Sequence, residues 1–214
     1  MLANIVLHTV LDQWFEHYAK PKIGGHARLI RFADDLVILC DRKEDAERFY
    51  AGIFPRFAKF GLELHSGKTK LVPFKRPPMG GPNDTESWDF LGFTHYWSTT
   101  RKGAWAIFQK TMASRLSRAL NKAAEWCRKN RHMPVEDQLR TLSRKIRGHC
   151  AYYGITGNSA ALEKYQRGVQ HLWRKWLRRR SGAAKRKNWA WWDGFFKRYP
   201  LPTARAVHST LRPT

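Results

Sequence analysis

The stretch Leu29-Ile30-Arg31-Phe32-Ala33-Asp34-Asp35-Leu36-Val37-Ile38-Leu39-Cys40 constrains this chain most. Two apolar runs flank a pair of adjacent acids, with Gly24-Gly25 as a turn shortly before them. Short runs of Leu, Ile, Phe and Val around a polar break read as two buried strands joined tightly. The break falls at Ala33-Asp34-Asp35, so both carboxylates are predicted at the tip of a β-hairpin, next to the core. Adjacent carboxylates there repel each other and lose hydration, which costs free energy unless cations offset it. Hard oxygen donors of this kind suit Mg²⁺, which keeps several waters and also takes substrate phosphates. An ordinary hairpin with a solvated acidic turn has the same spacing, because Asp is a common turn residue. On spacing alone the ordinary hairpin is the better reading, and the wider pattern reverses it.

Phe32-Ala33-Asp34-Asp35 between hydrophobic strands resembles the Tyr/Phe-x-Asp-Asp motif of reverse transcriptases. Further blocks resemble one branch of that family, the group II intron reverse transcriptase/maturases. Met1-Leu2-Ala3-Asn4-Ile5 resembles the end of the segment before the hairpin, and Phe60-Gly61-Leu62-Glu63-Leu64-His65-Ser66-Gly67-Lys68-Thr69 the block after it. The latter departs at Ser66-Gly67, where the family often has Pro-Glu. Asp89-Phe90-Leu91-Gly92-Phe93 resembles the next block, and Arg147-Gly148-His149-Cys150-Ala151-Tyr152-Tyr153-Gly154 the signature of the thumb, or maturase, region. These blocks run in order through nearly the whole chain, which makes the resemblance specific. It implies an α+β chain: a partial polymerase palm over 1–109, antiparallel sheet with helices, then a helical thumb/maturase bundle over 110–180. An aromatic and basic tail over 181–214 follows.

What the resemblance implies for chemistry is RNA-directed DNA synthesis with Mg²⁺. The primer 3′-hydroxyl attacks a triphosphate between metal ions that activate the hydroxyl and neutralise pyrophosphate. By resemblance, Asp34 is the metal ligand, Asp35 the supporting acid, and Lys68 a cation able to donate a proton to pyrophosphate. Lys68 read without the family is one more Lys in a basic chain. Phe90 and Phe93 would border the primer, or serve as core aromatics of an antiparallel pair. The chain begins inside the block that follows the family's first metal-binding strand. Fingers and the first catalytic Asp are therefore expected to be absent, as in an N-terminally truncated fragment or a split enzyme completed by a companion chain. Asp12 is nearby, but its helical setting does not match that strand. The other reading is a non-catalytic RNA-binding maturase module or an inactive gene fragment.

Charge carries the binding expectation. Residues 1–109 hold 15 basic and 12 acidic residues, net +3; residues 110–214 hold 25 and 5, net +20. Such an excess calls for a polyanionic partner, here RNA with a primer DNA, because self-repulsion is otherwise uncompensated. Arg140, Arg144, Lys145 and Arg147 are predicted on the polar side of one helix, and Arg174, Lys175, Arg178, Arg179 and Arg180 at the end of the next. His149 is counted with the RNA-facing residues, although it, Tyr152 and Tyr153 also suit packing of the helix end. Cys40, Cys127 and Cys150 have no metal-ligand spacing and lie in apolar stretches, as reduced core thiols of a cytoplasmic protein would. No apolar run reaches the length of a membrane span.

The periodicity predicts an N-terminal helix with Leu2, Ile5, Val6, Val10 and Trp14 on one face. Asp41 and Glu44 suggest a capping box for the next helix, with a kink or break near Phe54 imposed by Pro55. Strands are expected at 62–64 and 71–74, then a Pro- and Gly-rich loop at 75–87 and a hairpin from Asp89–Thr94 to Ala104–Phe108. Three amphipathic helices follow, broken near Pro134 and at Gly157-Asn158-Ser159, and then a short aromatic helix before Pro200 and an irregular end.

Overall fold

The computed structural model describes residues 2–79, 81 and 85–208. Met1 of the first resembling block, residues 80 and 82–84 of the Pro/Gly loop, and residues 209–214 of the tail lie outside the described residues. The chain is α+β and divides into two compact units: Met1–Leu91 with Trp97–Trp105, and Gly92–Tyr96 with Ala106–Thr214.

The first unit starts with helix α1 (Leu2–Leu7), which widens into π-helical turns at His8–Gln13 and Phe15–Ala19 and tightens into a 3₁₀ turn at Lys20–Lys22. The widening changes which side chains align. Val10, Leu11 and Phe15 are buried, as the i→i+5 pattern of a π-helix allows, whereas Ile5 and Val6 of the predicted stripe are exposed. The hairpin is β1 (Ala27–Phe32) and β2 (Asp35–Cys40), paired antiparallel from Ala27↔Cys40 to Phe32↔Asp35. Only one of its faces is covered. Leu29, Leu36 and Ile38 pack on the cluster of Val10, Leu11, Ile53 and Phe57, while Ile30, Phe32 and Leu39 are exposed on the alternate positions. The expectation of two fully buried strands is thereby corrected.

Helix α2 (Lys43–Ala58) buries Phe49, Ile53 and Phe57 at i, i+4 and i+8. Its predicted capping box does not form: Arg42 holds the N-cap position without a side-chain cap, and Asp41 and Asp45 are engaged by the turn before the hairpin. Asp41 accepts from the His26 backbone N–H at 2.8 Å, and buried Asp45 from those of Gly24 at 3.3 Å and Gly25 at 2.9 Å. Pro55 does not break the helix, which continues to Ala58. It sits in the last turn, where few hydrogen bonds remain to be lost. The predicted strands at 62–64 and 71–74 are irregular backbone. Leu62 and Leu64 still pack, half-buried, against the core, and the turn between the segments forms, with His65 O accepting from the N–H groups of Lys68 and Thr69.

The three-stranded antiparallel sheet has the order β3 (Trp88–Phe90), β4 (Phe93–Thr99), β5 (Trp105–Thr111). Leu91 (φ 49°) and Gly92 (φ 83°) join β3 to β4 with positive φ at both central positions, the signature of a type I′ turn. This splits the predicted 89–94 strand. A Cβ at Gly92 would also stand 3.1 Å from the Tyr153 hydroxyl, so conformation and packing both require glycine there.

The second unit is a helical bundle of α3 (Ala113–Lys129), α4 (Val135–Tyr153) and α5 (Ser159–Leu177), followed by α6 (Gly182–Lys185) and α7 (Trp189–Arg198). Leu116, Ala123 and Cys127 of α3, Leu142, Ile146 and Cys150 of α4, and Leu162, Val169, Trp173 and Leu177 of α5 form one core. Trp192 of α7 and Leu201 complete it. Two buried amides satisfy polar groups inside. Gln138 accepts from the Trp173 indole N–H at 2.9 Å and donates to Met133 O at 2.8 Å. Asn158 accepts from the Thr111 backbone N–H at 2.9 Å and donates to Tyr153 O at 2.8 Å. Cys127 and Cys150 are buried and Cys40 half-buried, all as free thiols. Burial pushes Cys127 up to about 12 and Cys40 up to about 11. No helix among the described residues is long and apolar enough to cross a membrane.

Candidate functional site

Two sites emerge, one in each unit. At the hairpin tip the register leaves Ala33 and Asp34 as the two-residue loop, with Asp35 opening β2. Ala33 has φ 55°, a conformation glycine adopts more easily, so the tip needs support from its surroundings. Arg31 supplies it. Its Nε and Nη2 donate to Asp12 Oδ1 and Oδ2 at 2.8 and 2.6 Å, and its Nη1 donates to Ala33 O at 3.0 Å and to Asn4 Oδ1 at 3.2 Å. A planar guanidinium is suited to this fork, which ties the widened N-terminal helix to the loop carrying the acids. The hydrogen bond from Arg31 holds the Asp12 carboxyl below its usual range, and both Asp12 oxygens are occupied. Asp12 is a support for the tip. Neither it nor Arg31 was singled out from sequence as such, and the available signal was a charged Arg31 at i+2 from Leu29, on the side of the strand that faces the core.

Asp34 and Asp35 are exposed, and neither carboxylate makes a hydrogen bond or ion pair with a described residue. Their hard oxygens are the donor type that a divalent cation takes. Among the described residues no group of three or more His, Cys, Asp or Glu forms around them. Lys68 lies on the exposed turn after His65, and no hydrogen bond or ion pair joins it to either aspartate. Phe90 is half-buried beside Trp88. Phe93 packs on Tyr152 and Tyr153 at ring separations of 6.1 and 5.3 Å, a setting that matches the core alternative.

The second unit sorts its cations into distinct places. Arg140, Arg144 and Arg147 recur at i, i+4 and i+7 and form one exposed stripe on α4, with Arg140 also paired to Asp137 at 3.3 Å. Lys145 does not join them. It is half-buried, and its charge is felt by the Cys127 thiol on α3. His149 is buried and stacks on Tyr165 with 3.9 Å between ring centroids, and burial alone drives its pKa down to about 4. It is a neutral core residue, which corrects its place among the RNA-facing cations. The reason is legible in the stripe Leu142, Ile146, His149, Cys150, whose core face His149 shares.

Arg174, Lys175 and Arg178 line an open groove of about 670 Å³ at the end of α5, together with His171, Arg179 and Lys185. Of these, His171 and Lys185 were not singled out from sequence. The Ser181-Gly182 break, which folds Lys185 back toward α5, was the available signal. Arg180, by contrast, is spent on structure, donating to Met133 O at 3.2 Å.

Residues 1–95, which include the hairpin, match the family described as reverse transcriptase (RNA-dependent DNA polymerase). The fold and the acid-tipped hairpin thus define a protein of the reverse transcriptase class. Residues 116–195 match the group II intron, maturase-specific domain. With both families matched in this order, the chain belongs to the group II intron-encoded reverse transcriptase/maturases. Proteins of this family use divalent metal ions, and their partners are nucleic acids, intron RNA among them. No curated protein is significantly similar to the chain.

Proposed function

We propose that residues 1–109 serve as the palm part of an RNA-directed DNA polymerase in which Asp34 and Asp35 hold Mg²⁺. Residues 110–180, with the 181–214 tail, act as its RNA-binding thumb. The observation that supports this best is the hairpin tip. Most acids of this strongly basic chain are matched to a cation or an N–H, as with Asp12, Asp45, Glu125 and Glu163. Asp34 and Asp35 are adjacent and unmatched. Mg²⁺ bound there would lower the pKa of a primer DNA 3′-hydroxyl and neutralise leaving pyrophosphate. The chain's own part is to hold the two carboxylates in place through Arg31, and to offer Lys68 as a proton donor to the pyrophosphate. The Arg140, Arg144 and Arg147 stripe and the Arg174, Lys175 and Arg178 groove take RNA phosphates. Three free cysteines suit a reducing compartment, the cytoplasm.

One observation favours a second reading. No third ligand joins Asp34 and Asp35 among the described residues, and two metals are held poorly by two carboxylates. In that reading the chain binds RNA as a maturase module, and synthesis requires a companion chain that supplies fingers and a further carboxylate. Primer extension on an RNA template with Mg²⁺ separates the two. The chain alone is expected to extend nothing, and a fingers-containing chain added in trans is expected to produce extension that Asp34→Ala abolishes. Extension by the chain alone that depends on Asp34 would remove the need for a companion. No Asp34-dependent extension in either setting, with RNA still bound, would leave the binding module.

A further inference from the structure

The end of the second unit pairs the basic groove with an aromatic surface that the fold does not consume. Trp189 opens α7 and is 75% exposed, while Trp192 of the same helix is buried in the core. The Arg174 guanidinium lies over the Trp189 ring, 3.8 Å from its centroid. Arg174 is also a wall of the groove, so one residue connects the cationic channel to the exposed indole. The groove is held open in a defined shape. Arg178 donates to Lys185 O at 3.3 Å across the α5–α6 turn, the Ser181 hydroxyl accepts from the Ala184 N–H at 3.2 Å, and no acid lines the walls. A large apolar ring left in water costs solvation free energy, and cation–π contact with one guanidinium offsets only part of it.

We propose that this groove and Trp189 form a binding site for an unpaired stretch of RNA, its phosphates along Arg174, Arg178 and Lys185 and one base stacked on the free face of Trp189. The proposal deepens the reading of this unit as RNA-binding and rests on it. Single-stranded RNA is selected by the geometry of the parts. Cations in a groove serve any polyanion, but an exposed indole face serves only bases whose own faces are free. In a duplex those faces are covered by neighbouring base pairs. Stacking on an indole face is tolerant of sequence, because every base has a π-face.

The test is fluorescence anisotropy with the full chain and three probes: a labelled 12-nucleotide oligouridylate, a blunt RNA duplex and polyglutamate. Trp189→Leu, which keeps apolar bulk without a stacking ring, is expected to weaken the single strand about tenfold. It should leave the duplex unchanged and the log–log salt slope for the single strand intact. Trp189→Phe should recover most of the loss. Arg178→Glu combined with Lys185→Glu should instead lower the salt slope for the single strand by roughly 0.7 per phosphate contact removed. The circular dichroism melt of each variant should match wild type, as expected of exposed positions. Single-strand binding by Trp189→Leu at wild-type strength, or equal loss for the duplex, would overturn the proposal. So would polyglutamate bound as tightly as oligouridylate. Failure of the underlying reading looks different: Arg140→Glu, Arg144→Glu and Arg147→Glu together would leave structured-RNA binding and its salt slope unchanged, whatever Trp189 does.

Discussion

The two units face the same problem, holding polar groups where a polyanion and its metal ions can reach them, and they solve it with opposite resources. The hairpin unit is thinly cored. Its apolar cluster covers one face of a two-stranded sheet, and Ile30, Phe32 and Leu39 stay exposed on the other. Its order therefore depends on directed polar contacts: Arg31 to Asp12 and to Ala33 O at the tip, and the Gly24 and Gly25 N–H groups to Asp45 at the open end. The maturase unit has a continuous core from Leu116 to Leu201, and helical geometry alone displays its cations. A site built on a packed helix face tolerates loss of individual charges. A site built on a two-residue loop is only as fixed as its few hydrogen bonds.

That contrast can be broken or sharpened by experiment. The largest effect is expected from Asp34→Ala: extension supported in trans falls below detection in a primer-extension assay, with RNA affinity and salt slope unchanged. A parallel loss of RNA binding would show that the two units do not work separately. Trp173→Ala removes the most enclosed aromatic of the bundle core and strands the Gln138 amide. It should cost ~3–5 kcal/mol, read by denaturant unfolding of the helical signal. If the hairpin unit unfolds at the same denaturant concentration, the units are one cooperative block.

Acid should weaken the units in sequence. His149 is neutral in the fold with its pKa at about 4, whereas an unfolded histidine takes a proton near pH 6.5. The unfolded state then binds more protons between these values, so the bundle is at full stability above about pH 6.5 and loses it progressively as pH falls toward 4. His149→Phe should flatten that dependence in thermal melts. Asp12 acts lower. Its folded pKa is depressed by Arg31, so its contribution is complete above the ordinary carboxylate range and disappears as pH falls through the folded value.

Smaller still is removal of the fork itself. Arg31→Ala leaves half-buried Asp12 with only the exposed His8 ring at 3.3 Å and should cost ~1.5–3 kcal/mol, seen as faster amide exchange at residues 33–35. The smallest change is Ala33→Gly. Relief of the positive φ and the added unfolded-state entropy nearly cancel, so a net shift within ~0.5 kcal/mol is expected on denaturant titration.

The sequence by itself determined a good deal of this protein, wherever one local signal decided the outcome. Apolar runs around Ala33-Asp34 specify a hairpin tip, and uninterrupted helical periodicity specifies α3, α4 and α5, because short-range geometry suffices for both. The ordered blocks announce the family that the two matched regions identify. Where a residue's role depends on distant partners, the same reasoning stopped short. Periodicity places Val10 and Trp14 together, but burial of Val10, Leu11 and Phe15 against α2 is met by widening the helix. Asp41 and Glu44 form a capping signal, yet a turn brought in from Gly24-Gly25 competes for the acids there. Alternating Leu62 and Leu64 read as a strand, but a strand exists only if a second one bonds to it, and none among the described residues does. Basic residues likewise look alike in a sequence. Only packing separates Arg144, turned to solvent, from Arg180, fixed to a loop carbonyl, and His149, stripped of its charge by burial. Tertiary structure decided these cases because hydration and hydrogen-bond partners are set by what folds against a residue, which no local pattern encodes.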